Sequence, residues 1–198
     1  MKKPIYIHVY ASTSNACTIT RKESIVDRYD WLCKGCGLTV PSATSVDIDI
    51  ASDFPPDYTL NFIWGHSVPL IHKNLLAHFP EIAIQRDLYL GRVVSHSGHR
   101  FKDWFTFRSR SRLFIRGTKE VGVRHCDLCG SDRYYAAGKR YLWPNPPGDI
   151  ELHDSDLGGL VMSHEFFEST GIKKTKGLFI ETLSVESEPL DGIKRLVR

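Results

Sequence analysis

Four of the five cysteines in this chain fall into two copies of one motif, Cys33-Lys34-Gly35-Cys36-Gly37 and Cys126-Asp127-Leu128-Cys129-Gly130. Random placement of five cysteines would give only about 0.1 such C-x-x-C pairs, so the repetition is a signal. A two-residue spacer lets both thiolates converge on one ion, while the N–H groups of the tight turn face the sulfurs. A glycine after the second cysteine permits the positive φ such a turn often needs. Two turns facing each other would complete a tetrahedral four-sulfur site, with Zn–S near ~2.3 Å. Cys33, Cys36, Cys126 and Cys129 are therefore the candidate ligands of one zinc ion. With four protein ligands the site has no open position and is structural. A redox pair and a site that has lost its metal are the competing readings. A thioredoxin-like motif would place one C-x-x-C at the start of a helix, and neither copy has that context.

The knuckles are 89 residues apart, far beyond the spacing of a compact zinc ribbon. The body of the protein must then be inserted between two half-sites, with the ion clasping that body at its base. The elements expected to build it come from periodicity. Ile5, Ile7 and Val9 alternate as a first strand with one buried face, and Val46 to Ile50 alternates likewise until Asp53-Phe54-Pro55-Pro56-Asp57 breaks it. Ser67 to Phe79 carries Val68, Ile71, Leu75 and Phe79 near helical spacing, with Ser67 as N-cap and Pro80 as a stop. Leu88 to Ser95, Phe101 to Phe107 and Leu113 to Arg116 read as an antiparallel meander. Tyr141 to Gly148, with three prolines, reads as a joint and not a central strand. Beyond it, Leu160 to Met162, a short helix capped by Ser163 and stopped by Gly171, and Gly177 to Leu183 form a strand-helix-strand unit. The expected class is α+β, mainly antiparallel sheet with a few short helices and a split zinc-ribbon-like pair of knuckles. Residues 1–140 form the clasped body and 141–198 a unit packed on it, together one compact domain.

Composition sets wider bounds. The 198 residues are 41% hydrophobic and 25% charged, which excludes a disordered chain, and no apolar run approaches a membrane span. The N-terminus has a basic tip, but Pro4 and His8 interrupt the apolar core an export signal needs, so the expected compartment is the cytoplasm. There, cysteines are not a disulfide framework, and Cys17 is expected to be an inert thiol. The formal charge of +3 is too small to argue for nucleic acid, yet it is uneven: residues 86–140 carry 13 basic against 5 acidic side chains, and residues 141–191 carry 3 against 10. Such polarity steers encounter with a complementary partner.

On an extended chain Arg108, Arg110, Arg112, Phe114 and Arg116 share one face, a candidate stripe for phosphate or for an acidic protein. A solvated edge that resists strand-to-strand aggregation is equally natural. His96, His99 and His125 invite a catalytic reading, but no nucleophile, paired acid, phosphate loop or nucleophile elbow accompanies them.

The order of landmarks resembles the double-CXXCG motif proteins. It comprises the first C-x-x-C-G, Phe54-Pro55, Phe79-Pro80, the second C-x-x-C-G, Leu142-Trp143-x-x-Pro146, and Val161-x-Ser163-x-x-Phe166 with Gly171 and Gly177. The likeness runs from about Trp31 to Leu183, and the cysteine motifs are its specific part. That family is regarded as immunity proteins of bacterial polymorphic toxin systems. The resemblance implies a cytoplasmic inhibitor, not an enzyme, that blocks a cognate protein toxin. On that reading Asp149, Glu151, Asp154 and Asp156 would cover the active site of a basic nuclease toxin. The rival is a zinc-ribbon module that holds nucleic acid or a transcription complex through the arginine stripe. A zinc-dependent hydrolase using His96 or His99 would need the open metal position that four cysteines deny.

Overall fold

The computed structural model describes residues 4–11, 30–36, 40, 47–50, 60–62, 69–95, 97–143, 145–175 and 177–186. The expectations at Cys17, Val46, Asp53 to Asp57, Ser67, Val68 and His96 lie outside the described residues. Twelve strands run in the order β1 (Ile5–Ala11), β2 (Ile48–Ile50), β3 (Leu60–Phe62), β4 (Pro69–His72), β5 (Leu88–Ser95), β6 (Arg100–Ser109), β7 (Arg112–Leu113), β8 (Ile115–His125), β9 (Asp132–Leu142), β10 (His153–Ser155), β11 (Leu160–Ser163) and β12 (Leu178–Val185). Three short helices, α1 (Lys73–Leu76), α2 (Glu81–Asp87) and α3 (His164–Thr170), and one 3-10 turn (Ile172–Lys174) complete the described elements.

The strands form two sheets. The larger has the order β7-β10-β11-β1-β12-β9-β8 and the smaller β2-β5-β6-β4-β3. The α+β, strand-rich class stands, but both sheets are mixed: β7 with β10, β9 with β12 and β2 with β5 run parallel. β1, first in sequence, takes the middle of the larger sheet. It pairs antiparallel with β11 on one side and with β12 along its whole length on the other. The strand-helix-strand unit thus straddles β1, and the boundary expected at residue 140 falls inside β9. Ser163 caps α3 by accepting from the Phe166 N–H at 3.1 Å, and Gly171 ends it at φ 66, as its sequence requires.

Both faces of the larger sheet are covered at its centre. Ile7, Val9, Leu160 and Met162 join Ile71, Leu88 and Phe107 of the smaller sheet and Leu75, Ala83 and Phe167 of the helices in the main core. On the opposite face Val161 and Leu183 pack with Leu113, Ile115, Leu142 and Val185. Alternation along Leu160, Val161 and Met162 sends each neighbour to a different core, which is why that segment reads as continuously apolar.

Four expectations change. Residues 69–72 are a strand and not the start of a long helix. Leu70 and Ile71 are both fully buried and pair with Thr106 and Phe105 of β6, so tertiary pairing overrides a weak helical period. Pro80 does not stop a helix, since α1 has already ended at Leu76: it opens α2, where its missing N–H is harmless. The meander ends at Ser109, and Leu113 to Arg116 is divided between β7 and β8 of the other sheet. The joint also begins later than expected. Tyr141 and Leu142 close β9 in mid-sheet, almost fully buried, and the prolines follow.

β8 and β9 form a long hairpin whose register runs from Ile115↔Leu142 to His125↔Asp132, with shifts between Gly117 and Lys119 and between Glu120 and Gly122. β12 pairs with β9 only at Tyr141 and Leu142, so the hairpin beyond them is a two-stranded ribbon among the described residues. At the first shift Gly138 has φ 84, and a Cβ there would lie 2.6 Å from Thr118 Oγ1. Gly159, at φ 81, lets the 156–159 turn meet β1, and a Cβ would collide with the Val9 carbonyl oxygen. Gly159→Ala is therefore expected to destabilise the fold by about 2 kcal/mol or more, read as a lower urea midpoint. An unchanged midpoint would refute the close approach of the turn to β1.

Candidate metal centre

The second knuckle is the end of the β8–β9 ribbon. After His125 pairs with Asp132, the Cys126 N–H donates to the Ser131 carbonyl at 2.9 Å and the Gly130 N–H to the Cys126 carbonyl at 2.8 Å. Gly130 takes φ 69, the positive value expected after the second cysteine. The first knuckle lies in the 30–36 segment, where the Gly35 N–H points at Cys33 Sγ at 3.4 Å. The Cys33 and Cys126 sulfurs are 3.6 Å apart, as are those of Cys36 and Cys129. All four lie within 4.8 Å of one another, and none of the four is in a disulfide.

A regular tetrahedron with metal–sulfur bonds near ~2.3 Å has edges of about 3.8 Å, so the spacing fits one ion held by four thiolates. Close packing fixes the mutual approach. A Cβ on Gly35 would lie 3.1 Å from Cys126 Sγ and 3.0 Å from Leu128 Cδ1 of the opposing knuckle. Cys33 and Cys126 are buried, while Cys36 and Cys129 are half-buried. Burial pushes the Cys129 thiol up, but hydrogen bonds from the Ser131 hydroxyl and N–H and from Cys33 and Cys36 outweigh it and bring it down to about 6. Thiolate is the form a metal needs.

The second knuckle closes the far end of the ribbon, while the first lies within electrostatic reach of Arg112 and is tied to the smaller sheet. Trp31 Nε1 donates to the Asp47 carbonyl at 3.1 Å, just before β2, and Asp47 binds the Arg92 side chain of β5. An ion here would link the ribbon of one sheet to a segment anchored on the other.

The other expected site residues separate. Asp154 and Asp156 are 2% and 3% exposed, so they cannot cover a partner's active site. Asp154 holds Arg112, with Nε to Oδ1 at 3.0 Å, and accepts from the Ser109 N–H at 3.2 Å. Asp156 accepts from the Ile115 N–H at 3.0 Å. Asp149 is exposed, and Glu151 is half-buried with its N–H on Asp87. The arginine stripe does not assemble, because β6 ends at Ser109 and the residues that follow belong to another sheet. Arg112 is turned inward to Asp154, and Arg116 is 1% exposed over the Trp143 ring at 4.8 Å. Arg110 is exposed but lies over the Tyr89 ring at 4.9 Å, and Arg108 is half-buried. His99 is exposed in the β5–β6 turn against Phe101, and His125 is exposed at the end of β8.

Two internal polar groups escaped sequence reasoning. Asp87 is fully buried, and its Oδ2 accepts from the Glu151 and Leu152 N–H groups at 2.9 and 3.1 Å. Burial raises this carboxyl, but Arg86 and the two N–H groups outweigh it and hold it below the usual range. His8 shares a row with Glu181 and Ser155. Its Nε2–H donates to the Gly158 carbonyl at 2.7 Å, its Nδ1 lies 3.6 Å from Glu181, and Glu181 binds Arg140 at 3.1 Å. This is not a base beside a nucleophile. Ser155 is 2% exposed and donates to the same Gly158 carbonyl at 2.6 Å, so His8 Nε2 has no lone pair for it.

No model of a known protein family matches the chain, and no curated protein matches it. Among the described residues no helix is long and apolar enough to cross a membrane.

Two measurements check these assignments. Cys33→Ser or Cys129→Ser is expected to abolish stoichiometric binding of a divalent ion and to lower the melting temperature by roughly 4–8 °C, equivalent to about 2 kcal/mol. An unchanged melting curve would make the tetrad irrelevant to stability. Burial pushes Asp156 up to about 6, although Ile115 and Arg112 pull it down. The native carboxyl then keeps its proton where the unfolded one, near ~3.9, has lost it, so this group's contribution to stability declines between about pH 4 and 6 and stays low above. Asp156→Asn is expected to exceed the parent in stability by on the order of 1 kcal/mol at pH 8 and to match it near pH 4. A variant less stable at pH 8 would make Asp156 a charged partner of Arg112.

Proposed function

We propose that this chain is a cytoplasmic immunity protein that binds and neutralises a cognate bacterial toxin, and that its tetrad holds one structural zinc ion. The observation that carries the reading is the closed set of Cys33, Cys36, Cys126 and Cys129. Four thiolates leave a bound ion no open position, so the metal would organise a binding scaffold and not a reaction. Zinc is preferred because it takes four thiolates without redox chemistry of its own. The motif order described above supplies the immunity assignment and the toxin as partner.

The rival reading as a nucleic-acid module loses its main support, since Arg112 and Arg116 are engaged inside the protein. The interface acids reduce to Asp149 and Glu151. Exposed apolar groups such as Leu128 and Phe179, 73% and 48% exposed, are available as anchors of the kind that dominate protein interfaces.

Elemental analysis of reduced, purified protein is expected to give about one zinc per chain. A toxin gene is expected directly beside this one, and co-expression should restore growth of cells making that toxin, with the two proteins co-purifying. Continued killing without co-purification would overturn the immunity reading and leave the metal assignment standing.

A further inference from the structure

The two 3.6 Å sulfur contacts have a property that the C-x-x-C motif alone hides: each joins one knuckle to the other. Exposure divides the tetrad the same way, since Cys36 and Cys129 are half-buried while Cys33 and Cys126 are 4% and 8% exposed. A small oxidant from solvent therefore meets Cys36 and Cys129 first, and these two already face each other. Cys33 is further held in its own turn by the Gly35 N–H.

We propose that the tetrad is a redox-sensitive clasp in which a peroxide joins Cys36 to Cys129, expels the ion and leaves the knuckles covalently tied. The inference rests on the metal reading of the tetrad and is independent of the toxin. One thiolate sulfur attacks hydrogen peroxide, the O–O bond breaks, and the products are a sulfenic acid and, after one proton is taken up, water. The facing thiolate then attacks that sulfur, an S–S bond forms, and the hydroxyl leaves as a second water with a second proton. Two thiolates lose two electrons, and one peroxide becomes two waters. The ion keeps only Cys33 and Cys126 and departs. The new bond spans 93 residues of sequence and takes over the link that the ion had made. A thiol reductant reverses the bond and restores the ligand set.

The sequence makes the pairing readable. Lys34 lies between Cys33 and Cys36, and Asp127 lies between Cys126 and Cys129. Trypsin together with a protease that cuts before aspartate therefore puts all four cysteines on separate peptides. The reduced full chain is loaded with zinc and treated with hydrogen peroxide, and free thiols are alkylated before digestion. Released zinc is followed with a chromogenic chelator. The expected result is zinc release of about one ion per peroxide consumed, with the Cys36–Cys129 peptide pair as the main cross-link and zinc uptake recovered after dithiothreitol. A majority of Cys33–Cys36, Cys126–Cys129 or Cys17 links would overturn the proposal, as would release with sulfinic acid and no cross-link. A chain that takes up no zinc would defeat the metal reading and the ion-release step, while its cross-link map would still decide the pairing.

Discussion

The separation of 3.6 Å between sulfurs of opposite knuckles is the constraint on which the described architecture turns. A two-stranded ribbon is marginal by itself in water. Here β8 and β9 extend beyond their last pairing with β12, and the far end is met by a segment tied through Trp31 and Asp47 to the smaller sheet. The sulfur contacts thus close a circuit through both sheets. The side chain that Gly35 lacks is part of this geometry, because even a methyl group would press on Cys126 and Leu128.

A second theme is the internal use of charge. Asp87, Asp154 and Asp156 all serve main-chain N–H groups that no sheet ladder satisfies: those of Glu151 and Leu152, of Ser109, and of Ile115. They sit where the chain crosses between the sheets, and buried donors there need acceptors. The acids and bases that make the sequence look bipolar are therefore partly consumed inside. Arg112 with Asp154 is a union of the basic and acidic segments within one molecule.

The cysteine tetrad was legible because its spacing carries the chemistry and two five-residue motifs decide it. The capped helix from Ser163 to Gly171 was equally legible, since local hydrogen bonds specify it. Sheet assignment was not. Leu113 and Phe105 look alike as strand residues, yet they belong to different sheets, and only long-range pairing distinguishes them. The same limit hid the fate of Arg116 and Asp156. Alternation places a side chain on a face but does not say whether another layer covers that face. His8 shows this well: it alternates with buried Ile7 and Val9 as a solvent-facing residue would, and it is buried in its turn.

The ribbon's outer strand has one more consequence. β8 is the longest edge strand of the larger sheet among the described residues, and a strand edge of that length invites recruitment of a second chain. Its two register shifts, near Thr118 and near Val121, interrupt the regular spacing of donors and acceptors that an incoming strand would have to match. The bends that shape the arm also make it a poor template for self-association, a protection a protein needs when it must remain dispersed while presenting so much sheet.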